Sequence, residues 1–285
     1  MSKTVTQSIV IPSYNRGSLL KRAIESVMQQ THFDWELIIV DDGSEDGTEE
    51  VVESFLQDRR ISFIKKNNTG AGDSRNVGAE AAIGEYLVFL DSDDEMKPDL
   101  LKKFADEIEN DDTGIVCCGF EQWQENKLIT SKMPSDLGPV FSNITGSFVA
   151  GSFMIRKECF RRVGGYDIDL ASGQHTELFM RLVPFCMEHN FLSKHISEAL
   201  LKIHLHTGER IRTNHRAIYQ GTKGILDKHF SLLNRSKEDL FNYYNIAAYH
   251  ANAIGEKKEA YSYYRKAFLM APALKPLLKL IRTKF

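Results

Sequence analysis

Short apolar runs alternate with amphipathic stretches along the first third of the chain. The runs predict buried β-strands at residues 8–12, 35–40, 61–65 and 86–90. Between them, apolar side chains recur at helical spacing, which predicts α-helices at residues 18–30, 47–58 and 72–83. Because strands and helices of this length alternate, the pattern favours a mostly parallel central sheet with helices on both faces. The predicted fold class is therefore α/β.

The pattern of the remaining chain is mixed at first and then helical. Residues 119–140 predict a hairpin or an excursion from the sheet, residues 148–155 another strand, and residues 157–163 and 174–188 two helices. From about residue 219 onward the sequence is typical of helices alone. We therefore expect an α/β domain at residues 1–218 and a C-terminal α-helical extension at residues 219–285.

Bulk composition argues against several classes of protein. The 285 residues carry a net charge of −3, which implies no general attraction to nucleic acid. The four cysteines show neither metal-ligand spacing nor a disulfide framework, a usage that fits a reducing compartment. We see neither a signal peptide nor an apolar run long enough to span a bilayer, so we expect a cytoplasmic protein.

Polar or loop-forming clusters follow each of the early predicted strands. They are Pro12-Ser-Tyr-Asn15, Asp41-Asp-Gly-Ser44, Lys65-Lys-Asn-Asn68 and Asp91-Ser-Asp-Asp94. In open α/β sheets, ligands bind beyond the carboxyl ends of the strands. The clusters therefore predict a single polar ligand site at that edge of the sheet.

The paired carboxylates of Asp91 and Asp93 carry the clearest chemistry. Hard oxygen ligands at the end of a buried strand suit Mn²⁺ or Mg²⁺ that carries a diphosphate. The alternative is an acidic turn that caps the helix beginning near Pro98.

Other strand ends offer groups that could bind a nucleotide. Tyr14 and Asn15 could hold a base and its ribose. Asp41 could accept a hydrogen bond from a base N–H, or belong to a plain turn. Arg75 lies near a loop-to-helix junction that suits phosphate, although a solvated helix charge is the alternative.

Taken together, these clusters resemble the ordered blocks of family 2 glycosyltransferases with the GT-A fold. The blocks are Ile9-Val-Ile-Pro-Ser-Tyr-Asn15, Ile38-Ile-Val-Asp-Asp-Gly-Ser44, Asn68-Thr-Gly70 with Arg75-Asn-Val-Gly78, Phe89-Leu-Asp-Ser-Asp-Asp94 and Val163-Gly-Gly-Tyr-Asp167. The resemblance covers roughly residues 7–215. It implies a Rossmann-like GT-A domain that transfers a sugar from a nucleotide.

The resemblance also implies roles for individual residues. The nucleotide-sugar-binding residues would be Pro12, Tyr14, Asn15, Asp41, Arg75, Asp91 and Ser92. Asp91 and Asp93 match the family's DxD carboxylates and would be the metal ligands. His204 resembles a histidine of a late block and could touch phosphate or metal.

The general base is where this chain departs from the family pattern. Family members usually carry an Asp that deprotonates the acceptor hydroxyl, whereas His175 occupies that position here. Imidazole can act as a base near neutral pH. Glu177 is the alternative catalytic residue, but two positions along a helix turn a side chain about 200° away. Glu177 could instead orient the segment or pair with Arg181.

The C-terminal extension carries a signature of its own. The residues from Tyr244 to Pro272, with Gly255 in the turn, match the spacing of one tetratricopeptide repeat. A single repeat cannot bury its apolar face alone, so it must pack on the α/β domain, a second copy or a partner. Residues 274–285 mix aliphatic and basic side chains, which suits a peripheral contact with the inner face of the membrane or a packed helix.

We therefore expect an inverting, metal-dependent glycosyltransferase that uses Mn²⁺ or Mg²⁺. The expected donor is UDP-glucose, UDP-galactose or an N-acetylated relative. The expected acceptor is a growing glycan of a bacterial surface polysaccharide or of a glycoprotein. This glycan would be linked to a lipid or to a protein. Two alternatives remain open, a catalytically silent nucleotide-sugar binding module and a scaffold whose C-terminal helices form a homo-oligomer or organise other enzymes. A nucleotidyltransferase is disfavoured because the chain has no glycine-rich first loop.

Overall fold

The computed structural model describes residues 7–108, 111–205 and 214–270. Its largest element is a nine-stranded sheet. Its strands run in the order β3-β2-β1-β4-β10-β6-β11-β5, and β7 pairs with β6. The strands are β1 Gln7–Ser13, β2 Trp35–Asp41, β3 Ile61–Lys65, β4 Tyr86–Phe89, β5 Glu95–Met96, β6 Thr113–Gln124, β7 Lys127–Lys132, β10 Phe153–Arg156 and β11 Leu192–His204. A separate two-stranded sheet pairs β8 Ser135–Asp136 with β9 Thr145–Gly146.

Helices connect these strands and continue beyond them. They are α1 Gly17–Met28, α2 Thr48–Glu53, α3 Ala71–Ala81, α4 Leu100–Asp106, α5 Lys157–Arg162, α6 Gln174–Glu188, α7 His215–Leu233, α8 Lys237–Ala253 and α9 Lys257–Met270, with a short 3₁₀ helix at Pro139–Phe141. Among the residues that the structure describes, every helix is too short or too polar to span a bilayer.

The first four strands run parallel to one another, as the sequence predicts. β1 pairs with β2 on one side, where Ser13 faces Asp41, and with β4 on the other, where Val10 faces Phe89. Every residue of β1 is buried, which explains its near-continuous apolar run. The carboxyl ends of β1, β2 and β4 therefore meet at one edge of the sheet.

The predicted α/β fold class is confirmed. The sequence predictions are wrong for two strands later in the chain, β10 and β11. β10 begins at residue 153 rather than 148, and it runs antiparallel between β4 and β6. The sequence pattern predicts no strand over residues 192–204, but β11 pairs with β6 there through several register shifts. The irregular register interrupts the alternation of exposed and buried residues, which is the signal that identifies a strand in a sequence.

The chain divides into two compact units. The first takes in the described residues of 7–137, 144–167 and 181–205, and the second those of 138–143, 168–180 and 214–270. The second unit thus contains α7–α9 together with the first half of α6. The domain boundary expected at residue 218 stays a prediction.

The C-terminal helices pair closely, as their small residues predict. Gly255 lies in the turn between α8 and α9 with a φ of +85°, and the alanines of the predicted repeat are fully buried, namely Ala247, Ala248, Ala251, Ala260 and Ala267. Pro272 and residues 274–285 lie outside the described residues.

In the first unit, α3 packs against the sheet through Gly78. A Cβ added there would lie 2.3 Å from Cγ1 of Val10. We expect Gly78→Ala to lower the free energy of unfolding by about 1–3 kcal/mol, because the added methyl overpacks a closed core. Denaturant unfolding measures the effect. Glu80→Ala, an exposed position on the same helix, is the control and should change it by less than about 0.5 kcal/mol. Equal stability of Gly78→Ala and the parent would contradict this packing.

Candidate functional site

The carboxylates predicted as metal ligands converge directly beyond β4. One oxygen from each of Asp91, Asp93 and Asp94 lies within 4.8 Å of the others. Asp91 and Asp93 are partly exposed, whereas Asp94 is buried. Hard, negatively charged oxygen donors at this spacing fit a divalent cation such as Mg²⁺ or Mn²⁺. The residues present therefore suit the metal that the sequence predicts.

Arg75 contacts this carboxylate cluster from α3. Its guanidinium Nη2 donates to Oδ1 of Asp91 at 2.7 Å, and its side chain is only 7% exposed. The guanidinium carbon also lies 5.4 Å from the ring centroid of Tyr166, which confines it further. Arg75 is thus no solvated helix charge. It orients one of the two DxD carboxylates.

The backbone beside the carboxylates is held by α1 and β11. Arg22 donates to the carbonyl oxygen of Asp93 at 2.6 Å and pairs with Glu95 at 3.2 Å. The backbone N–H of His204 donates to Oδ1 of Asp94 at 3.0 Å, so Asp94 links the acidic turn to β11. Asp94 belongs to the site although sequence reasoning did not select it. Its place within the Asp91-Ser-Asp-Asp94 cluster was the available signal.

His204 lies beside the cluster through its backbone bond to Asp94, and its expected contact with phosphate or metal stays a prediction. Its Nε2 is 2.6 Å from Oε1 of Glu95. Burial, followed by the positive charge of Arg22, holds the pKa of His204 below its usual range, and Glu95 opposes both effects. In the structure, the side chain of His204 therefore contacts Glu95.

The ends of β1 and β2 are joined by a second polar group. Asp41 is buried, and it accepts hydrogen bonds from the backbone N–H of Ser44 at 3.1 Å and from the Ser44 hydroxyl. The Ser44 hydroxyl accepts from the backbone N–H of Asn15 at 2.8 Å, and Asn15 Oδ1 accepts from Glu45 at 2.9 Å. Asn15 adopts a φ of +50°, which asparagine tolerates better than most residues. These bonds fix Asn15 next to Asp41.

The remaining nucleotide-binding candidates lie at the same edge. Tyr14 is 48% exposed, although large aromatic residues are usually more buried. Pro12 sits inside β1 opposite Val40, and Ser92 is buried between the DxD carboxylates. Because β1 lies between β2 and β4, the predicted nucleotide and metal residues come together at one edge.

Asp42 is a buried residue of this edge that sequence reasoning did not select. Its Oδ1 accepts from the backbone N–H of Thr69 at 3.0 Å and from Lys66 Nζ at 2.5 Å, while Oδ2 accepts from Gly70 at 2.8 Å. Asp42 thereby holds the loop that enters α3, the helix that carries Arg75. The adjacent acids of Asp41-Asp-Gly-Ser44 gave no signal that told the two apart.

The two candidate bases lie in the second unit, in the first turn of α6. His175 is partly exposed. Glu177 is 2% exposed, and its Oε1 lies 2.8 Å from Nε2 of His229. The two side chains therefore have different environments, because His175 is partly exposed and Glu177 is buried against His229.

Comparison with known proteins gives the relationship that these blocks suggest. The model of the family "Glycosyl transferase family 2" matches residues 8–164. The glycosyltransferase GlyG of Streptococcus pneumoniae is 33% identical over 121 residues, which are 42% of this chain and 40% of GlyG. The chain covers 15–40% of the length of eight curated relatives that it matches.

Solved structures show the same architecture. S. aureus TarS 1-349 in complex with UDP-GlcNAc has a TM-score of 0.65 at 18% identity, over 98% of this chain and 79% of that one. The mannosyltransferase PcManGT from Pyrobaculum calidifontis, in complex with GDP-Man and Mn²⁺, has a TM-score of 0.61 at 12% identity, over 99% and 85%. At these identities the likeness shows a shared fold, the α/β GT-A type with helices after it. Because the family model spans more than half of the chain, the chain belongs to glycosyltransferase family 2.

Proposed function

We propose that this protein transfers a hexose from a UDP-sugar to a glycan, with inversion at the anomeric carbon and with the help of Mn²⁺ or Mg²⁺. The observation that carries the proposal is the convergence of the Asp91, Asp93 and Asp94 carboxylates beside Arg75. They lie at the edge that also presents Asp41 and Asn15. Acidic, basic and amide groups at one edge suit a ligand that combines a diphosphate with a nucleoside.

The nucleoside would lie against the ends of β1 and β2. The ring of the exposed residue Tyr14 can stack on a base, and Asp41 and Asn15 offer hydrogen-bonding oxygens beside it. The TarS complex with UDP-GlcNAc, which shares the fold, favours uridine. Pro12 would shape the wall of this subsite, and Ser92 would lie near the ribose.

The diphosphate would lie at the carboxylates. Asp91 and Asp93 would hold the divalent ion, and the PcManGT complex, which contains Mn²⁺, supports manganese as one candidate. When bound, the ion neutralises the charge that develops on the departing nucleoside diphosphate. Arg75 keeps the Asp91 carboxylate in a fixed orientation for this task.

The acceptor hydroxyl needs a base that takes its proton as its oxygen bonds to the anomeric carbon and the bond to the diphosphate breaks. His175 is favoured, because it is partly exposed in the first turn of α6. Glu177 is buried against His229 and less accessible to an acceptor. The putative teichuronic acid biosynthesis glycosyltransferase TuaG of Bacillus subtilis, 43% identical over 98 residues, supports a bacterial glycan as the acceptor.

Removal of a metal ligand tests the donor site. We expect Asp93→Asn to weaken UDP binding in Mn²⁺ by tenfold or more, about 1.4 kcal/mol per factor of ten, because one hard charged ligand is lost. Titration calorimetry with UDP, with Mn²⁺ and after chelation by EDTA, measures the effect. Asp99→Asn, an exposed carboxylate outside the cluster, should bind like the parent. Equal UDP affinity with and without metal in the parent protein would end the metal proposal.

Asp42 should matter for donor binding although it need not touch the donor. Asp42→Asn removes the charged acceptor of Lys66 and of two backbone N–H groups, bonds worth about 1.5–3 kcal/mol each when charge-assisted. We expect the KM for the UDP-sugar to rise by roughly tenfold as the loop before α3 loosens. Steady-state UDP release measures it. Asp58→Asn, which breaks a pair with Arg60 elsewhere, is the control. An unchanged KM would remove Asp42 from the site.

Replacement of the base tests the chemical step. We expect His175→Ala to lower kcat for transfer by roughly 10²–10⁴-fold, the contribution of general base catalysis, and to keep UDP affinity. His189→Ala, an exposed histidine just beyond α6, is the matched control. Full turnover by His175→Ala would exclude His175 as the base. Metal-dependent UDP-sugar binding without turnover by the parent protein would instead identify a silent binding module.

A further inference from the structure

We propose that the C-terminal helices position the base, with His229 and Glu177 as positioning residues and Gly221 as the point of closest backbone contact. The inference rests on the assignment of His175 as the base. It concerns the second unit alone, in which the first half of α6 clusters with α7–α9. The C-terminal extension then takes part in the activity of the protein that carries it.

The backbone of α7 touches the loop that leads into α6. A Cβ added at Gly221 would lie 2.2 Å from the carbonyl oxygen of Ser172, three residues before His175. Real Cβ atoms do not approach backbone this closely, so only glycine permits the contact. The loop that precedes the base is therefore seated directly on the backbone of α7.

The same face of α7 makes two further close approaches to this loop. A Cβ at Gly224 would lie 2.7 Å from Cδ2 of Leu170, and a Cβ at Gly173 would lie 2.9 Å from Cδ1 of Ile225. Positions 221, 224 and 225 share one side of a helix. Leu170 and Ile225 are both buried, so apolar packing accompanies the backbone contact.

A polar contact fixes α6 just after His175 in the sequence. Glu177 is 2% exposed, and His229, whose side chain is 14% exposed, places Nε2 at 2.8 Å from its carboxylate. His229 has φ −118° and ψ 22° inside α7, where the helix kinks. The kink thus coincides with the residue that reaches Glu177. A carboxylate this deeply buried is costly without its partner, so the pair holds the two helices together.

These contacts bracket His175 within a span of six residues, from Ser172 to Glu177. The base lies in the first turn of α6, so its imidazole moves with the loop before it and the carboxylate after it. A misplacement of about 1 Å in a catalytic group can cost a factor of about 10² in rate. Binding of UDP and metal depends on the carboxylate cluster of the first unit and should not sense the change.

Point substitutions in α7 test the inference by the split between kcat and donor affinity. We expect Gly221→Ala and His229→Leu each to lower kcat for transfer by about 10- to 100-fold, because the imidazole is displaced. The KM for the UDP-sugar and the metal-dependent UDP affinity should stay within about twofold, a change of less than about 0.5 kcal/mol. His229→Gln, which keeps an N–H donor toward Glu177, should restore much of kcat. His215→Gln, a change at the first residue of α7, is the matched control and should leave all values unchanged.

A double substitution separates positioning from general loss of structure. His229→Leu should have little further effect on kcat in a His175→Ala background, because the group it positions is already gone. Full kcat in both Gly221→Ala and His229→Leu would overturn the inference. So would losses that multiply in the double variant, or a parallel loss of UDP affinity and thermal stability. If His175→Ala alone keeps full turnover, the base assignment fails, and that result is read from the single variant without reference to α7.

Discussion

The parallel pairing of β1 with β2 and with β4 is the constraint on which the candidate donor site depends. Ser13 faces Asp41 in one ladder and Val10 faces Phe89 in the other, so the residues that follow these strands leave the sheet at one edge. The candidate nucleoside-binding residues at the ends of β1 and β2 are far in sequence from the carboxylates that follow β4. The register brings them together, and Arg75 and Asp42 then fix the two loops that leave the edge.

Much of the first unit could be predicted from the sequence because each signal there is local. A fully buried strand such as β1 appears as an apolar run, and the polar cluster after it marks the ligand edge. The resemblance to family blocks then separates Asp91 and Asp93 from an ordinary acidic turn. The later strands were harder, because β11 pairs with β6 through register shifts that interrupt the alternating pattern of a strand.

The contacts around the candidate base could not be predicted, because they join residues that are distant in the chain. Glu177 and His229 are 52 residues apart, and neither position shows which partner it meets. Gly221 and Gly224 weaken the helical pattern of α7 without indicating what approaches them. Asp42 could not be identified from the sequence for another reason. Its neighbour Asp41 already matches the family motif, and two acids before Gly43 are also typical of an ordinary turn.

The face of α7 that carries Gly221 and Gly224 limits how segments can be exchanged between related proteins. The family model matches residues 8–164 and ends before the loop that seats on this face. In a chimera that keeps the loop of this chain but takes α7–α9 from a relative, a foreign side chain at position 221 would lie against Ser172. Tail and loop must therefore be inherited as one block, and a recombination breakpoint is better tolerated ahead of residue 168 than between the loop and α7.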